Sequence, residues 1–305
     1  MLWSILVFTS LCYSISHPNI QQSQQSPTPP TQTLIIIKTR HTIHPVTQNR
    51  WIRFAAQLGR EYDLVLLRDI TVSEKPNGIY TDMTPIVSYN VSLSMVLDRF
   101  PFLREYLYTM KFGDNKTIGS NCCGRAEMWQ LFRPSLYPML TNISSSAYKG
   151  VWILEDDCDI IRSNRSVLME MINTIDRQDQ PQSDLIGFRL KKSCCWGMIR
   201  RTPQFEKYLV SLQQKGVQHE VYSDSAQRWS WRLVQEFERA FDRGEYLWQE
   251  YMFHPFAVGY NLTWHDLDGE WCDKLHFHPL FKQSEDEVMN ASTLHNGTMC
   301  SHLHY

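Results

Sequence analysis

The chain has 305 residues, enough to bury a large hydrophobic core, so a fibrous protein and a disulfide-stabilised miniprotein are excluded. Charged residues make up 20% of the chain and the formal net charge is -2 at pH 7. Because no excess of Lys and Arg is present to neutralise a phosphate backbone, we predict that nucleic acid is not a partner.

The N-terminus is typical of entry into the secretory pathway. Residues 2–15 (LWSILVFTSLCYSI) form an uncharged apolar run, shorter than the ~20 residues that a bilayer-spanning helix needs. We predict that residues 1–16 are a signal peptide or a short signal anchor, with a buried first strand as the alternative. A signal anchor would be the protein's only membrane contact. Residues 17–33 are rich in Gln, Ser and Pro and predict a flexible stem, followed by one domain over residues 34–305.

Glycosylation triplets and cysteines favour the same compartment. Seven of the 12 asparagines begin an N-x-S/T triplet, which indicates passage through a glycosylating lumen. These asparagines are Asn90, Asn115, Asn142, Asn164, Asn261, Asn290 and Asn296. The chain has eight cysteines, of which Cys12 lies in the predicted signal, so disulfides are expected but their pairing stays open.

The predicted elements alternate between strand and helix. Continuous apolar runs indicate strands that are covered on both faces of a sheet, so the pattern predicts an α/β domain with a parallel core. In chain order we predict a strand over 34–38, a helix over 48–58, a strand over 64–67, helices over 85–108 and 125–139, a strand over 151–154, a helix from 163 or 164 to 175, strands over 184–190 and 196–199, and helices over 203–214 and 222–243, with an irregular end.

An acidic cluster follows the most apolar of these strands. The segment VWILEDDCD places Glu155, Asp156, Asp157 and Asp159 directly after residues 151–154. Ligands bind at the carboxyl ends of strands in open α/β sheets. Crowded carboxylates repel one another unless a cation lies among them, and hard oxygen ligands favour Mg²⁺ or Mn²⁺. The alternative is a solvated acidic loop.

This apolar strand ending in EDD resembles the metal and nucleotide-sugar motif of GT-A fold glycosyltransferases, of the family-25 type or the Golgi N-acetylglucosaminyltransferase type. The resemblance implies a Rossmann-like mixed sheet flanked by helices. It also implies that Asp157 binds the metal, Asp156 faces the nucleotide ribose and Glu155 supports the loop. Asp159 competes for the metal because Asp157-Cys158-Asp159 is itself a DxD, and the sequence does not decide between them.

The same resemblance assigns roles to other residues. Thr39 and Arg40 follow the first strand, where the nucleotide-contacting loop begins. Asp224 is the candidate general base, with capping of a helix near Ser225 as the alternative, and Asp266 is the reserve base. His278, or its neighbour His276, is a candidate third metal ligand, although an ordinary edge strand also fits that stretch.

Together these features imply a transferase that uses Mn²⁺ or Mg²⁺ and a nucleotide-sugar donor, with UDP-sugar as the expected class. The acceptor is a glycan or glycoprotein, and the expected location is the ER or Golgi lumen or the secreted fraction. Two alternatives stay open: a secreted metal-dependent phosphoesterase or other hydrolase, and a non-catalytic sugar-binding protein on the same fold.

Overall fold

The computed structural model describes residues 32–39, 45–69, 86–104, 133–143, 147–156, 161–162, 165–177, 183–190, 203–216, 221–245, 249–267 and 271. The predicted signal segment, most of the predicted stem and the predicted strand over 196–199 lie outside these residues. Within the described part, no helix is long and apolar enough to cross a membrane.

The centre of the fold is a mixed sheet of seven strands in the order β3-β2-β1-β4-β8-β7-β9. All neighbouring strands are parallel except that β8 runs antiparallel to both β4 and β7. The strands of this sheet are β1 (Gln32–Thr39), β2 (Tyr62–Asp69), β3 (Val87–Val91), β4 (Tyr148–Glu155), β7 (Leu185–Leu190), β8 (Val221–Trp229) and β9 (Trp264–Asp266); β5 (Ile161–Arg162) and β6 (Arg165–Ser166) form a separate small hairpin.

Helices cover both faces of the sheet. The α-helices of the described residues are α1 (Pro45–Gln57), α2 (Leu93–Arg99), α3 (Tyr137–Leu140), α4 (Val167–Arg177), α5 (Pro203–Gln214), α6 (Trp231–Asp242) and α7 (Gln249–Gly259). Side chains of α1 and α4 pack on one face, and side chains of α2, α3, α6 and α7 pack on the other. The protein is therefore a mixed α/β fold with a helix-flanked sheet, compatible with a Rossmann-like architecture.

The two central strands are buried because their apolar runs have no polar face. Residues Leu34 to Ile37 of β1 and Val151 to Leu154 of β4 are all fully buried. The two strands are parallel and in register, with Ile36 opposite Ile153. Successive side chains point to opposite faces, so each strand contributes to both hydrophobic clusters. The prediction that residues 151–154 form a central strand is confirmed.

Four predictions of secondary structure were wrong. The helix expected from residue 163 or 164 begins only at Val167, after the short strand β6. Residues 87–91, expected within a helix, form β3, and the helix begins only at Leu93. Residues 221–229, expected to begin a long helix, form β8, and α6 starts at Trp231. The expected irregular region after residue 243 contains helix α7 and strand β9.

The polar residues of β8 explain why it does not look like a core strand. Gln227 and Arg228 are buried, and each has a partner from another part of the chain. Gln227 accepts hydrogen bonds from Arg133 at 3.0 Å and from Trp229 at 2.9 Å. Arg228 donates to the Asp176 carboxylate of α4 at 2.9 Å. A buried polar strand is tolerated here because tertiary contacts give each of these two side chains a hydrogen-bond partner.

Candidate functional site

The start of the acidic segment lies beside the end of β1. The parallel register pairs Lys38 of β1 with Glu155 of β4, so the carboxyl ends of the two strands are level. The chain builds the sheet from β1 to β2 to β3 in one direction, and β4 then pairs on the other side of β1. The strand order therefore reverses between β1 and β4, which is where open α/β sheets bind their ligands.

Asp156 is held at this point by three hydrogen bonds. Its backbone N–H donates to the Lys38 carbonyl at 3.1 Å, and its own carbonyl accepts from the Trp51 indole at 2.9 Å. Its carboxylate Oδ2 accepts from the Thr39 hydroxyl at 2.5 Å. The first residues after β4 are thus fixed against β1 and α1, and two of the predicted nucleotide-contacting residues are brought together.

At the carboxyl ends of β1 and β4, polar side chains lie on both faces of the sheet. Thr39 and Asp156 share the face on which Trp51 and α1 pack. Lys38 and Glu155 are one residue earlier on each strand and therefore share the opposite face. Lys38 is only 2% exposed, whereas Glu155 and Asp156 are half-buried.

Two of these residues were missed in the sequence. Lys38 ends an otherwise apolar run, LIIIK, and a charge at that position is the signal that a strand is reaching a polar edge. Trp51 gave no such signal, because an aromatic residue at helical spacing is indistinguishable from ordinary core packing. Only the tertiary structure shows its indole on the Asp156 carbonyl.

Asp224 lies in β8, and its alternative role as a helix cap is wrong. The α6 helix begins after Ser230, whose hydroxyl accepts a hydrogen bond from the Leu233 N–H at 3.1 Å. The antiparallel ladder between β4 and β8 pairs Leu154 with Ala226. Asp224 is two residues beyond that pair, so its backbone lies at the same edge of the sheet as Asp156.

Asp266 lies farther out in the sheet and short of this edge, because the ladders through β7 and β8 place it level with Ile153 of β4. It ends β9 and pairs with Gly187 of the parallel strand β7. β8 and β7 separate β9 from β4. Three strand spacings correspond to about 14 Å between the backbones of β9 and β4. Asp266 is therefore not a neighbour of Asp156.

The remaining predicted site residues, Arg40, Asp157, Asp159 and His278, lie outside the described residues. Within the described ranges, no group of three or more His, Cys, Asp or Glu side chains could hold a metal ion. Mg²⁺ sites often need only one or two protein carboxylates, with substrate phosphates completing the coordination. The oxygen donors at the end of β4 fit that chemistry.

Two other buried acids are structural. Asp176 forms an ion pair with Arg228 in which both side chains are less than a tenth exposed. Asp184 accepts from the Ser230 hydroxyl at 2.6 Å and from the Thr263 N–H at 3.0 Å, which ties together the starts of β7, α6 and β9. Asp184 precedes β7 and Asp176 is paired with Arg228 near the carboxyl end of the antiparallel strand β8, so both lie away from the carboxyl end of β4 and neither is a candidate for the site.

Comparison with known proteins adds no relative: no protein-family model and no curated protein matches this sequence. The functional assignment therefore depends on the fold and on the residues at the strand ends.

Proposed function

We propose that this protein is a metal-dependent GT-A type glycosyltransferase that moves a sugar from a nucleotide-sugar donor, of the UDP-sugar class, to a glycan or glycoprotein acceptor in the secretory pathway. The observation that carries the proposal is the hydrogen bond between Thr39 and the Asp156 carboxylate. It joins the ends of β1 and β4 at the point where the strand order reverses.

The sheet supports the proposal in a second way. The GT-A resemblance implies a Rossmann-like mixed sheet flanked by helices, and the seven-stranded sheet with one antiparallel strand is of that kind. The acidic segment follows an interior strand whose apolar residues are all buried. A solvated acidic loop does not require such a strand, whereas a rigid ligand site benefits from one.

The proposal gives the carboxylates at the end of β4 two tasks. Asp157 or Asp159, with His278, would hold Mn²⁺ or Mg²⁺, while Asp156 with Thr39 and Arg40 would contact the nucleotide. A divalent cation held there supplies positive charge that stabilises the leaving nucleoside diphosphate. Glu155 would support the loop from the opposite face of the sheet.

If transfer inverts the sugar configuration, a carboxylate must accept the proton of the acceptor hydroxyl. Asp224 is the first candidate because its backbone lies at the same edge as Asp156, next to β4. Asp266 is the reserve, two strands farther from β4. Retention does not need this base, so unchanged turnover in both Asp224→Asn and Asp266→Asn would favour retention.

The experiment is a donor screen. The protein from residue 17 onward, made in a secreting eukaryotic cell, is incubated with Mn²⁺ and a panel of nucleotide sugars, and release of free sugar and nucleoside diphosphate is measured. A phosphomonoester is included as a substrate for the phosphoesterase alternative. We expect slow hydrolysis of one donor class and none of the phosphomonoester.

The controls separate the competing functions. Asp98→Asn is a matched carboxylate variant, since Asp98 lies on α2 in an exposed ion pair with Arg104. It should retain wild-type donor hydrolysis. Release of phosphate from the monoester would favour the phosphoesterase. Metal-dependent binding of a nucleotide sugar with no hydrolysis, and no transfer to any acceptor glycan, would favour a sugar-binding protein.

A further inference from the structure

The edge strand β3 carries a glycosylation triplet. β3 (Val87–Val91) lies at one end of the main sheet, and among the described residues it has a strand neighbour only on its β2 side. Asn90 is exposed and begins the triplet Asn90-Val91-Ser92. The other end of the sheet is β9, which is only 3 residues long.

Open edges invite pairing with another chain, and proteins protect them with charge, proline, bulges or very short strands. The β3 sequence VSYNV has no charged residue and no proline. Its register with β2 is regular over all five residues, and Val87 is 68% exposed. β9 is protected by its shortness, whereas β3 has none of these devices in the part of the chain that the structure describes.

We propose that Asn90 is N-glycosylated and that its glycan shields the β3 edge, which has no strand neighbour among the described residues beyond β2, from pairing with other chains. The proposal rests on the secretory location that forms part of the proposed function. An exposed asparagine leaves the attached sugar in solvent without disturbing the core, and a bulky hydrophilic group on the edge strand blocks the approach of a second strand.

The modification itself uses a co-substrate of the secreting cell, a lipid-diphosphate-linked oligosaccharide. The Asn90 side-chain nitrogen forms a bond to C1 of the first sugar, and the C1–oxygen bond to the diphosphate breaks. The lipid diphosphate leaves with the bonding electron pair, and one amide proton passes to a base of the cell's transferring enzyme.

Ser92 has a second role that determines which variants are informative. Its hydroxyl accepts a hydrogen bond from the Met95 N–H and caps α2. Replacing Ser92 by Ala would remove both the triplet and the cap, so a loss of stability would confuse the result. Asn90→Gln removes the triplet alone, and Ser92→Thr retains both the triplet and a capping hydroxyl.

The control site is Asn261, which is also exposed and begins a triplet. It lies after α7, close to the β9 end of the sheet, and its φ is 53°. Asp tolerates this left-handed conformation, so Asn261→Asp removes the triplet with little strain. A glycan lost from Asn261 leaves the β3 edge unchanged.

The test combines site occupancy with self-association. Protein secreted from eukaryotic cells is analysed by glycopeptide mass spectrometry, and the molar mass in solution is measured by sedimentation over a range of concentrations. We expect Asn90 to be occupied in the wild type and in Ser92→Thr. Asn90→Gln should form larger species than the wild type, whereas Asn261→Asp should not. Asn90→Lys, which has no glycan but places a charge on the edge, should behave like the wild type.

The outcomes separate this inference from the proposed function. Glycans at other triplets with Asn90 bare would overturn the inference and leave the secretory location intact. Glycans at none of the seven triplets would overturn both, while the donor screen still decides the transferase activity. An occupied Asn90 with unchanged sedimentation of Asn90→Gln would overturn the shielding role.

Discussion

The Thr39 hydroxyl donates a hydrogen bond to the carboxylate of Asp156, 117 residues later in the chain, at 2.5 Å. Thr39 ends β1 and is 1% exposed, and Asp156 follows the last residue of β4. The contact therefore couples the start of the acidic segment to the strand that precedes the predicted nucleotide loop.

The first prediction concerns that hydroxyl. Thr39→Val retains the shape of the side chain but removes the hydrogen bond to Asp156, so the carboxylate is no longer held in one orientation. We expect the affinity for UDP in the presence of Mn²⁺ to fall by about tenfold, the scale of one hydrogen bond to a charged group. Thr39→Ser should retain most of the affinity. Titration calorimetry measures both, and equal affinity in Val and Ser variants would show that the hydroxyl has no role.

The second prediction concerns Trp51, whose indole N–H donates to the Asp156 carbonyl. The matched control is Trp152, which is also fully buried in the same hydrophobic cluster but whose indole nitrogen has no hydrogen-bond partner in the described part of the chain. Both Trp→Phe variants lose ring volume, but only Trp51→Phe loses a hydrogen bond.

We therefore expect Trp51→Phe to lower nucleotide affinity more than Trp152→Phe does. Its free energy of unfolding should fall by about 1 kcal/mol more than the volume change alone explains. Urea unfolding and calorimetry give the two quantities. If both variants lost nucleotide affinity equally, the indole contact would have no positioning role.

The strands and helices were predictable where the local sequence alone indicates burial. β1, β2 and β4 are continuous apolar runs, and α5 has the bounds predicted from its spacing and its starting proline. β8 was not predictable because its buried residues Gln227 and Arg228 are polar. Their hydrogen-bond partners, Arg133 and Asp176 respectively, are distant in sequence. The helix α7 was missed in part because it contains Pro255, which normally ends a helix.

The site was predictable to the same extent. Thr39 and Asp156 were assigned through the resemblance to GT-A enzymes, and the structure brings them together because the carboxyl ends of the parallel strands β1 and β4 meet at one edge. Trp51 was missed because hydrogen bonding to a loop backbone leaves no trace in residue spacing. Helix capping, the alternative role predicted for Asp224, is wrong because the helix begins later and Ser230, six residues further on, caps it.

The third prediction concerns the buried ion pair between Arg228 and Asp176. Removing one partner leaves a buried charge without compensation, so Asp176→Ala should lower the free energy of unfolding by roughly 3–5 kcal/mol. The double variant Asp176→Leu with Arg228→Met should lose much less, because no charge is left buried. Urea unfolding of the wild type and the two variants measures these losses, and a double variant that lost as much stability as Asp176→Ala would contradict the prediction.

The fourth prediction is a pH dependence at Glu245, which accepts hydrogen bonds from Arg243 at 2.8 Å and from Tyr260 at 2.8 Å. Burial alone would raise the pKa of this carboxyl, but these two partners outweigh burial and lower the pKa below its ordinary value of 4.5. A lowered pKa in the folded state means that the ionised carboxylate stabilises the fold above pH 4.5 and that this contribution is lost as pH falls through the lowered pKa.

Glu245→Gln should therefore unfold at a lower urea concentration than the wild type at neutral pH, and the difference should shrink as the pH falls below 4.5. The exposed pair at Asp98 provides the control, because Asp98→Asn should change the unfolding midpoint little at either pH. A difference in stability between Glu245→Gln and the wild type that grew as the pH fell would contradict this prediction.

The measurement that tests the central claim most directly is the Mn²⁺-dependent turnover of the preferred nucleotide sugar by Asp157→Asn and Asp159→Asn, paired with thermal stability without metal. If these carboxylates form a metal-diphosphate site, at least one variant should lose turnover by roughly 10²-fold, the scale of losing one charge-stabilising group. The same variant should remain as stable as the wild type without metal, or become more stable, because one of several repelling carboxylates is neutralised. Full turnover in both folded variants would contradict the glycosyltransferase assignment.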